Sequence, residues 1–239
     1  DVVSNEFLLW EGDKFSKSRR VGIWIDEALK LFPADYWRYA LVALRPETRD
    51  SNFTWKQFIE KVNSDLNDTI GNFVHRTLVF IKRYFNGRVP EPGQLGPEDE
   101  EVLRFLKEAF EEITSELESF KLKSALRTVV EVAREGNRFL NEREPWKLVK
   151  TDIGLAGRTL YVAAQLAKAL AILLAPFVPD AADRLWSMLG LKGSVHEASW
   201  EEALEPLEPG HAIGEPEPLF RKIRESPEEL KKALERLRS

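Results

Sequence analysis

Apolar residues recur every three or four positions through most of the chain after Trp24, and few folds satisfy that period. Between Thr54 and Gly87 the stripe is Phe58, Ile59, Val62, Leu66, Ile70, Phe73, Val74, Thr77, Leu78 and Ile81, one face of a long helix. Thr54 suits its N-cap and Asn86-Gly87 its end. The period returns after Pro97 (Val102, Leu103, Leu106, Phe110, Ile113, Leu117), over Lys121 to Phe139, and from Ile153 to Leu174. Shorter helical patterns carry Ile25, Ala28, Leu29 and Phe32 on one apolar face, then Tyr36 to Leu44, Ala181 to Leu189, and Pro227 to Arg238. Pro46 to Asn52 and Asn141 to Pro145 read as polar turns, Val89 to Pro97 as a linker. Gly190 to Leu219 has little period and suits a short strand or hairpin. The expected fold is mostly α, a bundle of about five long helices. One short strand-like run, Phe7 to Trp10, precedes it, with no partner strand in view.

Composition narrows the function classes. The longest apolar run, Ala163 to Val178, is broken by Gln165, Lys168 and Pro176. It falls short of the ~18 residues a membrane span needs and reads as a buried helix. The chain has no cysteine and three scattered histidines, so thiol chemistry and a metal site are not expected. A net charge of −5 over 239 residues gives no bulk attraction to nucleic acid, leaving only a local basic face for such a partner. A cytoplasmic location is the default.

Three groups of residues could carry chemistry. Lys14-Phe15-Ser16-Lys17-Ser18 joins two ammonium groups and two hydroxyls in a loop after Gly12. Such groups can neutralise phosphate oxygens and lower the barrier where charge grows on a leaving pyrophosphate. A merely solvated basic loop fits the same composition. Asn72 and Arg76 lie four apart, on one helix face and ~6 Å apart along the axis. They can present donors and acceptors to base edges, or form an ordinary surface pair. Trp146, after Pro145, can pack in a core or stack on a base. His75, the acidic runs Glu98 to Glu101 and Glu111-Glu112, and Gly154 and Gly157 read as structural or solvated.

Lys14 to Ser18 resembles the KMSKS signature of class I aminoacyl-tRNA synthetases, with Phe15 at the methionine position. Gly22 to Glu27, Phe32 to Tyr39, Arg45 to Phe53, Asn63 to Leu66, Gly71 to Arg76, Pro145-Trp146 and Pro218 to Ile223 are similar to methionyl-tRNA synthetases of the archaeal type. The resemblance runs over nearly the whole chain, least distinctly at Gly190 to Gly210. It implies a C-terminal part of such an enzyme. Residues 1–25 are then a remnant of the catalytic domain, 26–225 the α-helical anticodon-binding domain, and 226–239 a closing helix or tail. It implies Lys14 and Lys17 as catalytic groups, with Lys17, Ser16 and Ser18 on ATP. Asn72, Arg76, Trp146 and Asn137 are implied readers of the CAU anticodon loop of tRNA(Met), with Arg138 in the same similar segment.

Neither a His-x-Gly-His motif nor a Gly-rich strand–turn–helix is present. The nucleotide-binding fold is therefore expected on a missing N-terminal catalytic domain, together with the partner strands of Phe7 to Trp10. The fragment alone is expected to be inactive and to hold no ATP. Two alternatives fit the residues: the anticodon region of a leucyl or isoleucyl-type synthetase, and a helical protein-interaction module.

Overall fold

The computed structural model describes residues 3–238. Asp1, Val2 and Ser239, at the ends of the expected segments 1–25 and 226–239, lie outside the described residues. Strand β1 (Leu8–Trp10) leads into helices α1 (Ile25–Leu31) and α2 (Ala34–Ala43) and strand β2 (Ser51–Phe53). A continuous rod follows: α3 (Trp55–Lys61), a π-helical segment (Val62–Gly71) and α4 (Asn72–Tyr84). Then come α5 (Pro97–Glu118), α6 (Leu122–Arg143), the single turn α7 (Pro145–Leu148), α8 (Ile153–Leu174), α9 (Pro179–Met188) and α10 (Pro227–Arg238). The expected helical bundle is what forms, with the rod, α5, α6 and α8 as its long members.

The strand-like run does find a partner inside the chain. β1 pairs in parallel with β2, Leu8 opposite Ser51 and Trp10 opposite Phe53, which corrects two expectations: the missing partner, and the polar turn through Asn52. A parallel pair needs a crossover, and α1 and α2 supply it. Three residues are too short to show a strand period; aromatic packing fixes them. The Phe53 ring stacks on Trp10 at 4.6 Å between centroids, and Trp55 meets Trp10 edge-on at 5.6 Å. Trp37 and Phe58 close the cluster, 4.5 Å apart.

Helix α1 departs from expectation on its apolar face. Ala28 is buried, but Ile25 and Leu29 are 78% and 51% exposed. With Leu8, Phe15 and Leu41 they border an open apolar groove of about 430 Å³. The rod from Thr54 also differs in winding. The Thr54 hydroxyl caps it, accepting from the Gln57 N–H at 3.1 Å. Within the π segment the Thr69 hydroxyl donates to the Ser64 carbonyl, five residues back, at 2.8 Å.

Helix α6 does not stop at Phe139. It runs to Arg143 and ends where Glu144 adopts φ +47° ahead of Pro145. Polar Asn141 and Glu142 cost nothing on an exposed helix face, so composition misplaces the break and Pro145 sets it. Buried Asp99 pins this end. Its carboxylate accepts from the Gly96 N–H at 2.8 Å, and from Arg143 at 3.2 Å, with Arg158 of α8 at 3.8 Å. α5, α6 and α8 are thereby tied where Trp146 emerges.

α8 is the core helix. By length and composition it could cross a membrane, but 89% of its apolar window is buried inside the fold. Its polar residues hold the irregular stretch after α9, where two 3-10 turns (Val195–Glu197, Trp200–Leu204) and an isolated bridge between Arg88 and Ala212 replace the expected strand or hairpin. The buried Lys168 ammonium donates to the carbonyls of Glu202 and Glu205, and Gln165 brackets the Leu207 backbone. Burial pushes the Lys168 pKa down. Scattered apolar side chains (Val195, Ala203, Leu207, Ile213) also reach the core, and the side chain to backbone bonds satisfy the buried polar groups of a segment that has no ladder of its own.

Candidate nucleic-acid interface

Asn72 opens α4 and Arg76 follows one turn later, on the same face. Facing them, α6 presents Asn137 and Asn141. The Asn137 side-chain oxygen accepts from Asn72 Nδ2 at 3.3 Å and from Arg76 Nη1 at 3.4 Å, while its Nδ2 donates to the Thr69 carbonyl at 2.9 Å. Arg76 Nη2 donates to Asn141 at 2.8 Å. Burial pushes the Arg76 pKa below its ordinary value. Its carbon lies 5.1 Å from the centre of the Trp146 ring, within cation–π range. Phe80 backs the indole at 5.9 Å. Asn72 is exposed, and with Arg76, Asn137 and Asn141 it lines one open groove of about 620 Å³ on the α4–α6 side; the half-buried Trp146 adjoins that groove through Arg76.

The close approach of α6 to α4 depends on Gly136. A Cβ there would stand 2.3 Å from the Phe73 ring, inside any tolerable contact. The structure thus brings together all four residues named as loop readers. It adds Gly136, the Thr69 carbonyl and Asn141, which the sequence placed in a turn and which lies on α6. The spacing of Asn137 and Asn141, i and i+4, repeats that of Asn72 and Arg76 and was the available signal. Arg138 faces the groove's rim, held by Glu135 and Glu142, whose carboxylates raise its pKa.

The second cluster lies on the β1 side. Lys14 to Ser18 is a loop closed by backbone bonds between Ser16 and Val21, 3.0 and 2.9 Å. The Phe15 ring lies against Gly22, whose φ of +123° and lack of Cβ make room for it. Ser16 and Ser18 hydroxyls sit 3.4 Å apart. Lys14 Nζ lies 5.8 Å from the Phe7 ring and Lys17 Nζ 5.9 Å from that of Trp24. Among the described residues neither ammonium is in an ion pair, so both are available to an anion. Nor does a hydrogen bond or ion pair join this loop to the groove.

Helix α10, whose role the sequence left open, fastens the loop's root. Arg238 donates to Glu27 at 2.8 Å and to the Gly22 carbonyl at 2.6 Å, and Lys231 pairs with Glu11 at 2.9 Å. The hydrogen bond from Arg238 holds the Glu27 carboxyl below the usual carboxylate range, against the opposing effect of burial.

Residues 1–78 match the family described as tRNA synthetases class I (M), which sets the class of protein. Residues 89–237 match the anticodon binding domain of methionyl tRNA ligase. The chain belongs to the methionyl-tRNA ligase family. It is 50% identical over 236 residues to the methionine–tRNA ligase of Pyrobaculum aerophilum, covering 99% of this chain and 40% of that protein. It is 52% identical over 223 residues to that of Aeropyrum pernix, covering 93% and 39%. The chain thus spans about 40% of the length of these curated relatives. Its fold is like that of Mycobacterium tuberculosis methionyl-tRNA synthetase in complex with methionyl-adenylate, with TM-score 0.84 and 24% identity over 91% of this chain and 43% of that one.

Proposed function

We propose that this chain is the RNA-reading C-terminal part of a methionine–tRNA ligase and carries that enzyme's ATP-facing lysine loop. Residues 1–25 belong with the catalytic part, 26–225 form the anticodon-binding body, and 226–239 close it. The observation that carries the reading is the meeting of three separate helices at one guanidinium: Arg76 bonds to Asn137 in the open groove and lies against the Trp146 ring beside it. Unstacked loop bases are recognised by stacking on aromatic side chains and by hydrogen bonds to base edges. Trp146 stacks on an extruded base of the CAU anticodon of tRNA(Met). Asn72 and Arg76 bond to base edges, and Asn137 holds both in register.

In the other half of the activity, Lys14 and Lys17 neutralise the triphosphate of ATP as methionine attacks and pyrophosphate leaves, with Ser16 and Ser18 donating to phosphate oxygens. Unpaired ammonium groups fit that task, since a resident carboxylate would have to be displaced. Substrate must be held by the catalytic portion that the longer relatives possess, because proximity supplies much of the acceleration. The chain alone is therefore inactive in aminoacylation. The exposed apolar groove at Ile25, Leu29 and Leu41 suits contact with that portion. We assign the protein to the cytoplasm, where translation supplies its substrates.

The test is binding of an RNA hairpin carrying a CAU loop. Trp146→Ala is expected to weaken it by about 1–3 kcal/mol, the worth of one base–aromatic stack. A variant that binds as tightly as the wild type overturns the stacking role. Hairpins with leucine or isoleucine anticodons serve as competitors.

A further inference from the structure

Helix α6 carries Lys123, Arg127, Arg134, Asn137, Arg138 and Asn141 within one ~100° arc, given ~100° of turn per residue. Its C-terminal half forms the anticodon groove. Its N-terminal half borders a separate cavity of about 370 Å³ between α6, α2 and the π segment. Four cations line that cavity, Lys61, Lys123, Arg127 and Arg134, against two carboxylates, Glu47 and Asp65. Both acids are already engaged. Asp65 is buried and accepts from Tyr39 at 2.8 Å and Lys61 at 3.2 Å, with Arg134 at 3.5 Å. Glu47 accepts from Arg45 at 3.4 Å and from the Lys123 N–H at 2.9 Å. Lys123 and Arg127 are exposed, and among the described residues neither side-chain cation is in an ion pair; Arg127 only donates to the Ser124 hydroxyl at 3.3 Å.

We propose that Lys123 and Arg127 form a phosphate-binding track for the stem of the same RNA whose loop enters the anticodon groove. This rests on the anticodon reading and extends it. Arg134 lines both cavities; it is paired with Glu131 and Asp65, but its side chain stays half-exposed between the cavities. Lys123 lies ~16 Å along the helix axis from Arg134 at 1.5 Å per residue, a run that suits consecutive backbone phosphates rather than one small anion. The track leads from the loop readers toward α2 and Glu47, beside the β1–β2 unit that bears Lys14 and Lys17. A tRNA read at its anticodon and charged at its other end must follow that direction. In a chain of net charge −5, two neighbouring exposed cations outside any ion pair among the described residues are a local device for a polyanion, one that positions without reading sequence.

The experiment measures affinity and salt dependence for hairpins with a short or a long stem, each carrying CAU or a changed loop. Wild type is expected to gain affinity as the stem lengthens. Lys123→Gln with Arg127→Gln is expected to remove that gain, about tenfold or more at low salt. The slope of log K against log salt should fall by about one per lost phosphate contact, with the preference for CAU unchanged. Arg104→Gln with Lys107→Gln, exposed on α5, removes equal charge elsewhere and should change neither the stem gain nor the slope. Melting temperature checks that both variants fold. A CAU preference with no stem dependence, or a slope unmoved by the α6 pair, overturns the track and leaves the anticodon reading standing. A stem gain abolished by the α6 pair without CAU preference sustains the track and overturns the anticodon reading. A chain that binds neither hairpin overturns both.

Discussion

In the α4–α6 groove, Asn137 alone bonds to two neighbouring side chains and a backbone carbonyl, whereas the ammonium groups of Lys14 and Lys17 lie over aromatic rings and, among the described residues, in no ion pair. The groove's side chains are fixed before any ligand arrives, so less ordering cost falls on binding. Among the described residues no carboxylate holds the loop's lysines, which on the proposed function leaves their charge for a substrate held by another part of the enzyme. On the proposed function, recognition is built into the bundle, and phosphate chemistry is attached to it by the two-stranded sheet and by the ion pairs of α10.

Perturbing each region separately should break or sharpen this contrast. The largest effect is expected at the brace. Asp99→Ala leaves Arg143 and Arg158 without their buried partner and should cost about 3–5 kcal/mol of unfolding free energy. Hairpin affinity should fall with it, because α6 then loses its fixed end beside Trp146. Unchanged affinity in a destabilised variant would show that the groove is not braced from there.

Lys17→Ala should behave in the opposite way. In the full-length ligase its methionine-dependent ATP–pyrophosphate exchange is expected to slow about 10²–10³-fold, the effect of removing one transition-state donor. The melting point and hairpin affinity of this chain should stay put, as for most exposed substitutions. A drop in hairpin affinity would erase the division of labour.

Gly136→Ala comes next. The methyl must displace Phe73, and overpacking of this kind costs about 1–3 kcal/mol. Calorimetry should show that loss, and hairpin binding should weaken because Asn137 moves away from Arg76. Phe73→Leu is expected to rescue both in part.

The smallest effect concerns the attachment. The Glu27 carboxyl is held low by Arg238. Its stabilising contribution is therefore present above the ordinary carboxylate pKa of 4.5 and is lost as pH falls through the lowered folded-state value. Urea midpoints of Glu27→Gln should fall less than those of the wild type on acidification below that range. Parallel curves would mean that α10 is not fastened by this pair.

The lysine loop and the groove also differ in how far sequence reveals them. Lys14 to Ser18 is contiguous, so its chemistry can be read in one pass. Asn72 and Arg76 are legible as a helix pair, but Asn137 and Asn141 lie some sixty residues away and resemble a polar run leading into a turn. The small residue that brings the two helices together, Gly136, has no signature of its own in a helix. β2 was invisible for a related reason: Ser51 to Phe53 acquires a strand conformation from the rings beneath it, and three residues have no period to display.

What the sequence determined by itself is the class of fold, because helical period, caps and prolines are local properties. It also determined which helix would form the core, since α8 alone is apolar nearly all round. Tertiary structure decided which polar residues face one another across helices, which apolar side chains on α1 stay uncovered, and which cations on α6 stay outside ion pairs among the described residues. Those outcomes depend on the approach and rotation of whole helices, set by buried contacts such as Phe73 on Gly136 and Asp99 on Arg143. The order of residues along the chain carries no direct record of them.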